Sequence, residues 1–199
     1  LHQAIIKDKR FEDKLFLLPA AQNTDKSAIE PEEVKAIVAD LKSDFDYILL
    51  DCPAGIEQGF ANSVAGADEA IVVSTPEISA VRDADRVVGL LEQADLDEPP
   101  MLIINRIKKR MVNDGTMMDV DEITHHLSIK LIGIVFDDDE VIGTSNKGEP
   151  IVLNEKSPAS KGYRNIARRL EGQTVPLMTM KESDESGFFG KIASWFQKK

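Results

Sequence analysis

The chain has 199 residues, of which 42% are hydrophobic, so it is long enough to bury one sizeable core. Its formal net charge of -11 argues against a protein that coats nucleic acid, because phosphate binding requires clustered lysine and arginine. The single cysteine, Cys52, excludes an internal disulfide and a cysteine-based zinc site, and it favours a cytosolic location.

The first thirty residues predict a strand and a loop but no phosphate-binding loop. Leu1 is not an initiator methionine, and residues 1–6 resemble the middle of an amphipathic helix, so we expect an N-terminal truncation. The pattern G-x-x-x-x-G-K-[ST] does not occur, because Gly190-Lys191 is followed by isoleucine. Residues 15–20 predict a short strand that ends at a proline, and a helix is predicted to open after Glu30.

The apolar run Tyr-Ile-Leu-Leu at residues 47–50 predicts a parallel strand that is buried on both faces. Asp51 follows it directly, at the sheet edge where open α/β folds bind ligands. A carboxylate there suits Mg²⁺, which usually takes one or two carboxylates, and Gly55 offers a backbone N–H that a phosphate can approach closely. Alternatively, Asp51 caps the helix that begins near residue 56. These residues alone leave both interpretations open.

The middle of the chain alternates predicted helices and strands. Small residues at 59–67 predict a closely packed helix, and residues 69–74 predict a buried strand. Residues 78–91 predict a long amphipathic helix that directs valine, alanine and leucine inward and its charged residues to water, where charges are ordinarily solvated.

A strand at residues 101–104 is predicted to end at Asn105, whose amide could either hydrogen-bond a purine or serve a turn. A helix is predicted to begin at residues 119–123. His125 and His126 point in different directions on it, so we interpret them as surface residues rather than as a metal pair.

Residues 130–136 predict the last clear strand. The four acids at 137–140 resemble a cation loop, but acids at a helix start also complement its dipole. Residues 157–170 predict a final core helix, with Ser157 as its cap.

The C-terminal region predicts a flexible linker at residues 172–187 and an amphipathic helix at residues 188–199. On a helix, the bulky side chains of the last segment fall on one side and its lysines mainly on the other. A membrane-surface anchor needs this pattern. The alternative is a last helix docked on the protein's own core.

Three segments resemble the MinD/ParA family of deviant Walker ATPases: Asp-Cys-Pro-Ala-Gly-Ile-Glu at 51–57, Pro-Glu-Ile-Ser-Ala-Val-Arg-Asp-Ala-Asp at 76–85, and Ser-Asn-Lys-Gly-Glu-Pro at 145–150. The resemblance covers nearly the whole chain. It departs at residues 136–138, where Phe-Asp-Asp stands in place of the family's Pro-Glu-Asp. It implies an α/β fold with a mostly parallel P-loop NTPase-like sheet flanked by helices. It also implies that the N-terminal P-loop strand is absent and that residues 1–171 are the C-terminal portion of the ATPase domain.

The resemblance also implies particular site residues and the cofactors ATP and Mg²⁺. Asp51 would order the metal through water, Gly55 would sense the γ-phosphate, and both are the catalytic candidates. Pro53, Asn105 and Arg106 are the other candidates for nucleotide binding. A third set would contact a second copy of the chain or a protein partner: Glu77, Ser79, Arg82, Asp83 and Asp85. A fourth set would contact the membrane: Phe188, Phe189, Lys191, Ile192, Trp195, Phe196 and Lys198.

The function implied by the resemblance is an ATPase that places the bacterial division site. ATP-dependent dimerisation would bring two copies of the tail, which is residues 188–199, to an anionic membrane at the inner face of the cell. Partners similar to MinC and MinE would be recruited there. No nucleic-acid partner is expected. Without the phosphate loop, we expect this chain to be inactive alone. The alternatives are a non-hydrolysing membrane-tethered adaptor and an ATPase of the ParA or flagellar-placement kind.

Overall fold

The computed structural model describes residues 2–12, 14–19 and 29–179. By its internal contacts the chain divides into two compact units, residues 1–68 and residues 69–199, and each is described by itself.

The first unit contains a two-stranded antiparallel sheet formed by β1 (Ile6–Asp8) and β2 (Leu15–Leu17). The predicted strand at residues 15–20 is therefore present, although it is shorter. Asp8 accepts hydrogen bonds from the backbone and the guanidinium of Arg10, which lower the pKa of its carboxyl to about 2. The ring of Phe16 meets that of Phe45 edge-on, with centroids 5.2 Å apart.

Two helices complete the first unit: α1 (Pro31–Leu41) and α2 (Gln58–Ala65). The predicted start of α1 is confirmed, because Glu30 and Glu33 form a reciprocal capping box and Pro31 occupies the first turn. The two helices pack together, and Val38 and Leu41 of α1 are buried.

The predicted strand at residues 47–50 is wrong. These residues lie in no helix or strand, and Tyr47 and Leu49 are 60% and 86% exposed. A strand needs a neighbour to bond its backbone, and a doubly buried strand needs a layer on each face. In the described part of residues 1–68 the sheet consists of β1 and β2, and it does not include this run. The prediction that Asp51 directly follows a buried strand is therefore also wrong.

The second unit is built on a three-stranded parallel sheet in the order β3 (Ile71–Ser74), β4 (Met101–Ile107) and β5 (Lys130–Phe136). The predicted position of β5 is confirmed, whereas β4 continues beyond the predicted end at residue 104. Side chains of β4 and β5 are buried on both faces, as expected of parallel strands. The side chains of β3 instead alternate, and Val73 is 58% exposed.

Helices flank this sheet. They are α3 (Ile78–Leu91), α4 (Lys109–Asn113), α5 (Val120–Leu127), α6 (Glu140–Asn146) and α7 (Pro158–Leu170). The bounds of α3 match the prediction, and α3 packs on β3 and α5. His125 and His126 are exposed in the last turn of α5, as predicted. No helix in the described part of the chain is long and apolar enough to span a bilayer.

Glycines allow α7 to approach β5 closely. A methyl group added at Gly162 of α7 would lie 2.9 Å from the backbone oxygen of Ile134 and 3.3 Å from the Cα of Val135. Gly133 of β5 in turn faces the side chain of Ile166. Ser157 caps α7 as predicted, because its hydroxyl accepts a hydrogen bond from the backbone N–H of Ser160. The first turn of α7 is buried, with Ala159 and Ser160 at 0% exposure.

The chain beyond α7 is hydrogen-bonded to the second unit as far as it is described. Gly172 turns with a φ of +75°, after which the guanidinium of Arg169 donates to the backbone oxygens of Val175 and Pro176. The same guanidinium donates to the oxygen of Ile132 on β5. Residues 172–179 of the predicted linker are thus held to the second unit. Residues 180–187 lie outside the described residues, so the linker boundary stays a prediction.

We expect Gly162→Ala to destabilise the protein by about 1–3 kcal/mol, because the added methyl presses on the backbone of β5, which cannot rotate away. Gly89→Ala is the matched control, since this α3 glycine has open space around its Cβ position and alanine favours a helix. Urea unfolding followed by circular dichroism measures both variants. Equal stability of the two would show that the close approach at Gly162 is unimportant.

Candidate functional site

The loop between residues 50 and 58 presents Asp51 to solvent and is folded against the start of α2. Asp51, Cys52 and Pro53 are all exposed. A Cβ at Gly59 would lie 2.4 Å from Cγ of Pro53, so the proline ring rests directly on the glycine in the first turn of α2. Pro53 therefore has a structural role in positioning this loop, whatever else it contacts.

Gly55 adopts a backbone conformation that requires glycine. Its φ is +103°, a region that side chains with a Cβ rarely adopt. Nothing lies within 4 Å of the Cβ position, so the requirement comes from the backbone rather than from crowding. The space beside this residue is open, and a ligand could therefore approach its backbone closely.

Asp51 has the oxygen chemistry that Mg²⁺ prefers, and it does not cap α2. The residue at the N-cap of α2 is Glu57, whose backbone oxygen accepts from Phe60 and Ala61. The capping alternative for Asp51 is therefore wrong. Among residues 2–12, 14–19 and 29–179 no group of three or more potential metal ligands occurs. A single exposed carboxylate still fits Mg²⁺, which keeps several waters and takes further oxygens from phosphates.

Asn105 and Arg106 lie within β4, at an irregularity, rather than at its end. The pairing with β5 shifts register between Ile104 and Ile107, and Arg106 has a left-handed φ of +59°. The side-chain oxygen of Asn105 accepts the backbone N–H of Arg106 at 2.9 Å. Asn105 therefore supports the bulged backbone, and it could offer its amide nitrogen to a ligand in this conformation.

The acids that follow β5 bind protein groups. Asp137 lies 3.6 Å from both Nε of Arg106 and Nζ of Lys108. Asp138 accepts the hydroxyl of Ser157 at 2.5 Å and the backbone N–H of Glu140 at 3.0 Å. Of the two interpretations of residues 137–140, the structure favours a structural role over a cation loop.

The predicted partner surface is an exposed face of α3 and of the residue that precedes it. The apolar side of the helix is buried through Val81, Ala84, Val88 and Leu91. The predicted contact residues are all exposed: Glu77, Ser79, Arg82, Asp83 and Asp85. Arg86 reaches Asp83 only at 3.9 Å, and such an exposed pair contributes little to stability. This charged surface is therefore accessible, while its partner stays a prediction.

The structure brings the candidate residues into three groups. Asp51, Pro53 and Gly55 share one loop of the first unit, whereas Asn105 and Arg106 share a bulge in the second unit and the α3 residues share one face. The predicted membrane residues lie outside the described residues: Phe188, Phe189, Lys191, Ile192, Trp195, Phe196 and Lys198.

Sequence reasoning missed the ion cluster around Asp137. A signal was present, because a basic run follows β4 and an acidic run follows β5. Neighbouring parallel strands end at the same edge of a sheet, so opposite charges placed there meet.

Comparisons with known proteins agree on the class. A family model described as cellulose biosynthesis protein BcsQ matches residues 10–165. The septum site-determining protein MinD of Bacillus subtilis is 59% identical over 196 residues, which cover 98% of this chain and 73% of that protein.

Two solved structures show the same architecture. In a MinC:MinD cell division protein complex from Aquifex aeolicus, the matched chain is 44% identical with a TM-score of 0.81, covering 89% of this chain and 71% of that one. The MinD of Pyrococcus horikoshii complexed with Mg-ADP is 25% identical with a TM-score of 0.71, covering 85% of this chain and 68% of that one.

The parallel sheet, its flanking helices and these likenesses define a P-loop NTPase of the MinD/ParA class. Within that class, the 59% identity to the Bacillus MinD identifies the family more specifically than the match to the model described as cellulose biosynthesis protein BcsQ does. The chain belongs to the MinD family of septum site-determining proteins.

We expect Asn105→Ala to destabilise the protein by about 1 kcal/mol, because the backbone N–H of Arg106 loses its acceptor at a strained position. Asn113→Ala, at an exposed position in α4, is the matched control and should change stability by less than about 0.5 kcal/mol. Urea unfolding compares the two. If Asn105→Ala unfolds like the wild type, the side chain does not support the bulge.

Proposed function

We propose that this chain is the greater part of an ATPase that places the bacterial division site by binding the membrane in a nucleotide-dependent way. Membership of the MinD family is the observation that carries the proposal. The nucleotide and metal follow from the Pyrococcus relative, whose solved structure is a complex with Mg-ADP. A MinC-like partner follows from the Aquifex complex.

In this proposal the loop after residue 50 acts on the nucleotide. Asp51 is exposed and carries the oxygen ligands that a hydrated Mg²⁺ accepts, and the bound metal would supply positive charge to the phosphates. The backbone of Gly55 has open space beside it, so its N–H could hydrogen-bond the terminal phosphate and sense whether that phosphate is present. Pro53 keeps the loop in place against Gly59.

In this proposal Asn105 of the second unit would contact the adenine base of the nucleotide. The amide nitrogen of Asn105 offers donors to a purine, because its oxygen already accepts the backbone N–H of Arg106. The side chain of Arg106 is turned toward Asp137, which leaves it a supporting role beside the base.

Hydrolysis requires groups that this sequence does not carry. It contains no G-K-[ST] triplet, and its match covers about three quarters of the Bacillus relative. A lysine-bearing phosphate loop neutralises the charge that develops on the transferred phosphoryl group. We therefore propose that the 199 residues alone are inactive, and that turnover belongs to a chain that also carries such a loop.

Membrane association would come from the tail, at the inner face of the cell membrane. The helix predicted for residues 188–199 would be short enough to be marginal in water, so it would form on lipid and bind reversibly. Dimerisation with ATP would pair two tails and strengthen binding through avidity. The exposed charged face of α3 would then receive the second copy and division regulators similar to MinC and MinE.

The role of Asp51 is testable in a chain extended upstream with the family's phosphate loop. We expect Asp51→Asn to reduce Mg²⁺-dependent ATP turnover by at least about tenfold, because the metal loses its carboxylate. Asp46→Asn, an exposed acid five residues upstream, is the matched control and should retain turnover. A phosphate-release assay over a Mg²⁺ titration measures both.

Two outcomes would contradict this proposal. Unchanged Mg²⁺ dependence of Asp51→Asn would remove Asp51 from the metal site. Absence of any turnover by the extended wild type, with nucleotide and anionic vesicles present, would favour the non-hydrolysing adaptor.

The role of the tail is testable with the chain as it is. We expect Trp195→Glu to reduce sedimentation with anionic vesicles by at least about tenfold, because a ring that is predicted to enter the lipid is replaced by a charge that anionic lipid repels. Ser194→Glu adds the same charge on the polar side of the helix and should lower binding less. If Trp195→Glu and the wild type sediment equally, the tail is not the anchor.

A further inference from the structure

The exposed side of α7 carries a positive surface on an acidic protein. Between residues 155 and 171 the sequence has five basic residues and two acids, whereas the whole chain has 24 basic and 35 acidic residues. Within α7 itself there is no acid. The local sign of charge is therefore opposite to that of the protein.

Three of these basic residues share one face. Lys161, Arg164 and Arg168 are spaced three and four positions apart, which places them within an arc of about 60° on a helix. All three are exposed, and we call them the basic face of α7. The opposite side of the helix is buried against β5 through Gly162 and Ile166.

The two arginines of the basic face have internal partners that fix their positions. Arg164 donates to the backbone oxygen of Val152 at 2.7 Å, and it lies 3.9 Å from a carboxylate oxygen of Glu155, which is 83% exposed. Arg168 donates to the side-chain oxygen of Gln173 at 2.9 Å. The partners of Arg164 and Arg168 are thus mostly neutral oxygens, so these two guanidiniums keep their positive charge at the surface.

The segment that follows α7 connects the helix to the predicted membrane tail. The guanidinium of Arg169 holds Val175 and Pro176 to the body, and Met178 is buried. Nine residues lie between Met178 and Phe188, so ten steps of the chain span at most about 35 Å. A tail bound to lipid would therefore keep α7 close to the same surface.

Electrostatics then favours one orientation. Anionic lipid repels the net charge of -11, and at physiological salt the interaction acts over about 8 Å. The orientation that turns the basic face toward the lipid replaces repulsion by attraction. Charge complementarity and proximity to the tail thus favour the same occupant.

We propose that the basic face of α7 is a second contact with anionic lipid, which orients the protein on the membrane after the tail has inserted. The inference rests on the proposed membrane function, since the tail brings the face to the surface. The face recognises the headgroup charge and not a particular lipid. A polyanion such as nucleic acid is the competing occupant, and the test separates the two.

The test compares vesicles of pure phosphatidylcholine with vesicles of an equal mixture of phosphatidylcholine and phosphatidylglycerol. The test variant is Lys161→Gln with Arg164→Gln and Arg168→Gln in the full chain. We expect the variant to partition onto the anionic vesicles about tenfold less than the wild type, because each surface cation contributes to lipid attraction. At high salt, which screens this attraction, the variant and the wild type should bind nearly alike. The control, Arg110→Gln with Lys130→Gln and Lys147→Gln, makes the same charge change at exposed positions elsewhere and should bind nearly as the wild type does.

Arg164 supports Val152, so thermal unfolding of the test variant is compared with that of the wild type. If the triple variant is unstable, Lys161→Glu alone carries the test, with an expected loss of about fivefold. If the stable variant and the control bind anionic vesicles equally, the inference is overturned while the membrane proposal stands. If the wild type binds no vesicles, both fall. Binding of the same proteins to a short duplex DNA is measured in parallel. If the triple variant loses DNA binding but keeps vesicle binding, the basic face binds nucleic acid and the inference is overturned.

Discussion

The close packing of α7 on β5 is the contact on which the second unit depends. Gly162 and Gly133 remove side chains where helix and strand meet, and the buried first turn of α7 is tied to Asp138 through Ser157. Because protein interiors are dense, an approach this close leaves one arrangement of the two elements. It directs Arg169 toward the backbone of β5 and Lys161 to solvent. The two glycines thus determine which side of α7 faces the sheet and which side faces solvent.

Most of the second unit could be predicted from the sequence because its signals are local. The helical spacing of Val81, Ala84, Val88 and Leu91 fixes α3, and the cap at Ser157 with the proline after it fixes the start of α7. The continuous apolar runs of β4 and β5 indicate strands buried on both faces. Each of these elements finds its partners within residues 69–179, so pattern and packing agree.

The apolar run at residues 47–50 failed as a strand for the converse reason. Its composition is that of a buried strand, but strand formation requires a partner, which composition cannot supply. The left-handed backbone at Arg106 was equally unpredictable, because it results from the register shift between β4 and β5 and not from the residue type. Gly55 was the opposite case. Its glycine predicted backbone freedom, and its φ of +103° uses that freedom.

The clamp formed by Arg169 has a mechanical consequence. One planar guanidinium bonds three carbonyl oxygens, one on β5 and two in the departing segment. A tension applied to the C-terminus would load these bonds through the side chain of Arg169, and part of it would pass into the sheet through the backbone of Ile132. While the three hydrogen bonds of Arg169 hold, the segment between α7 and Val175 would carry little of this load.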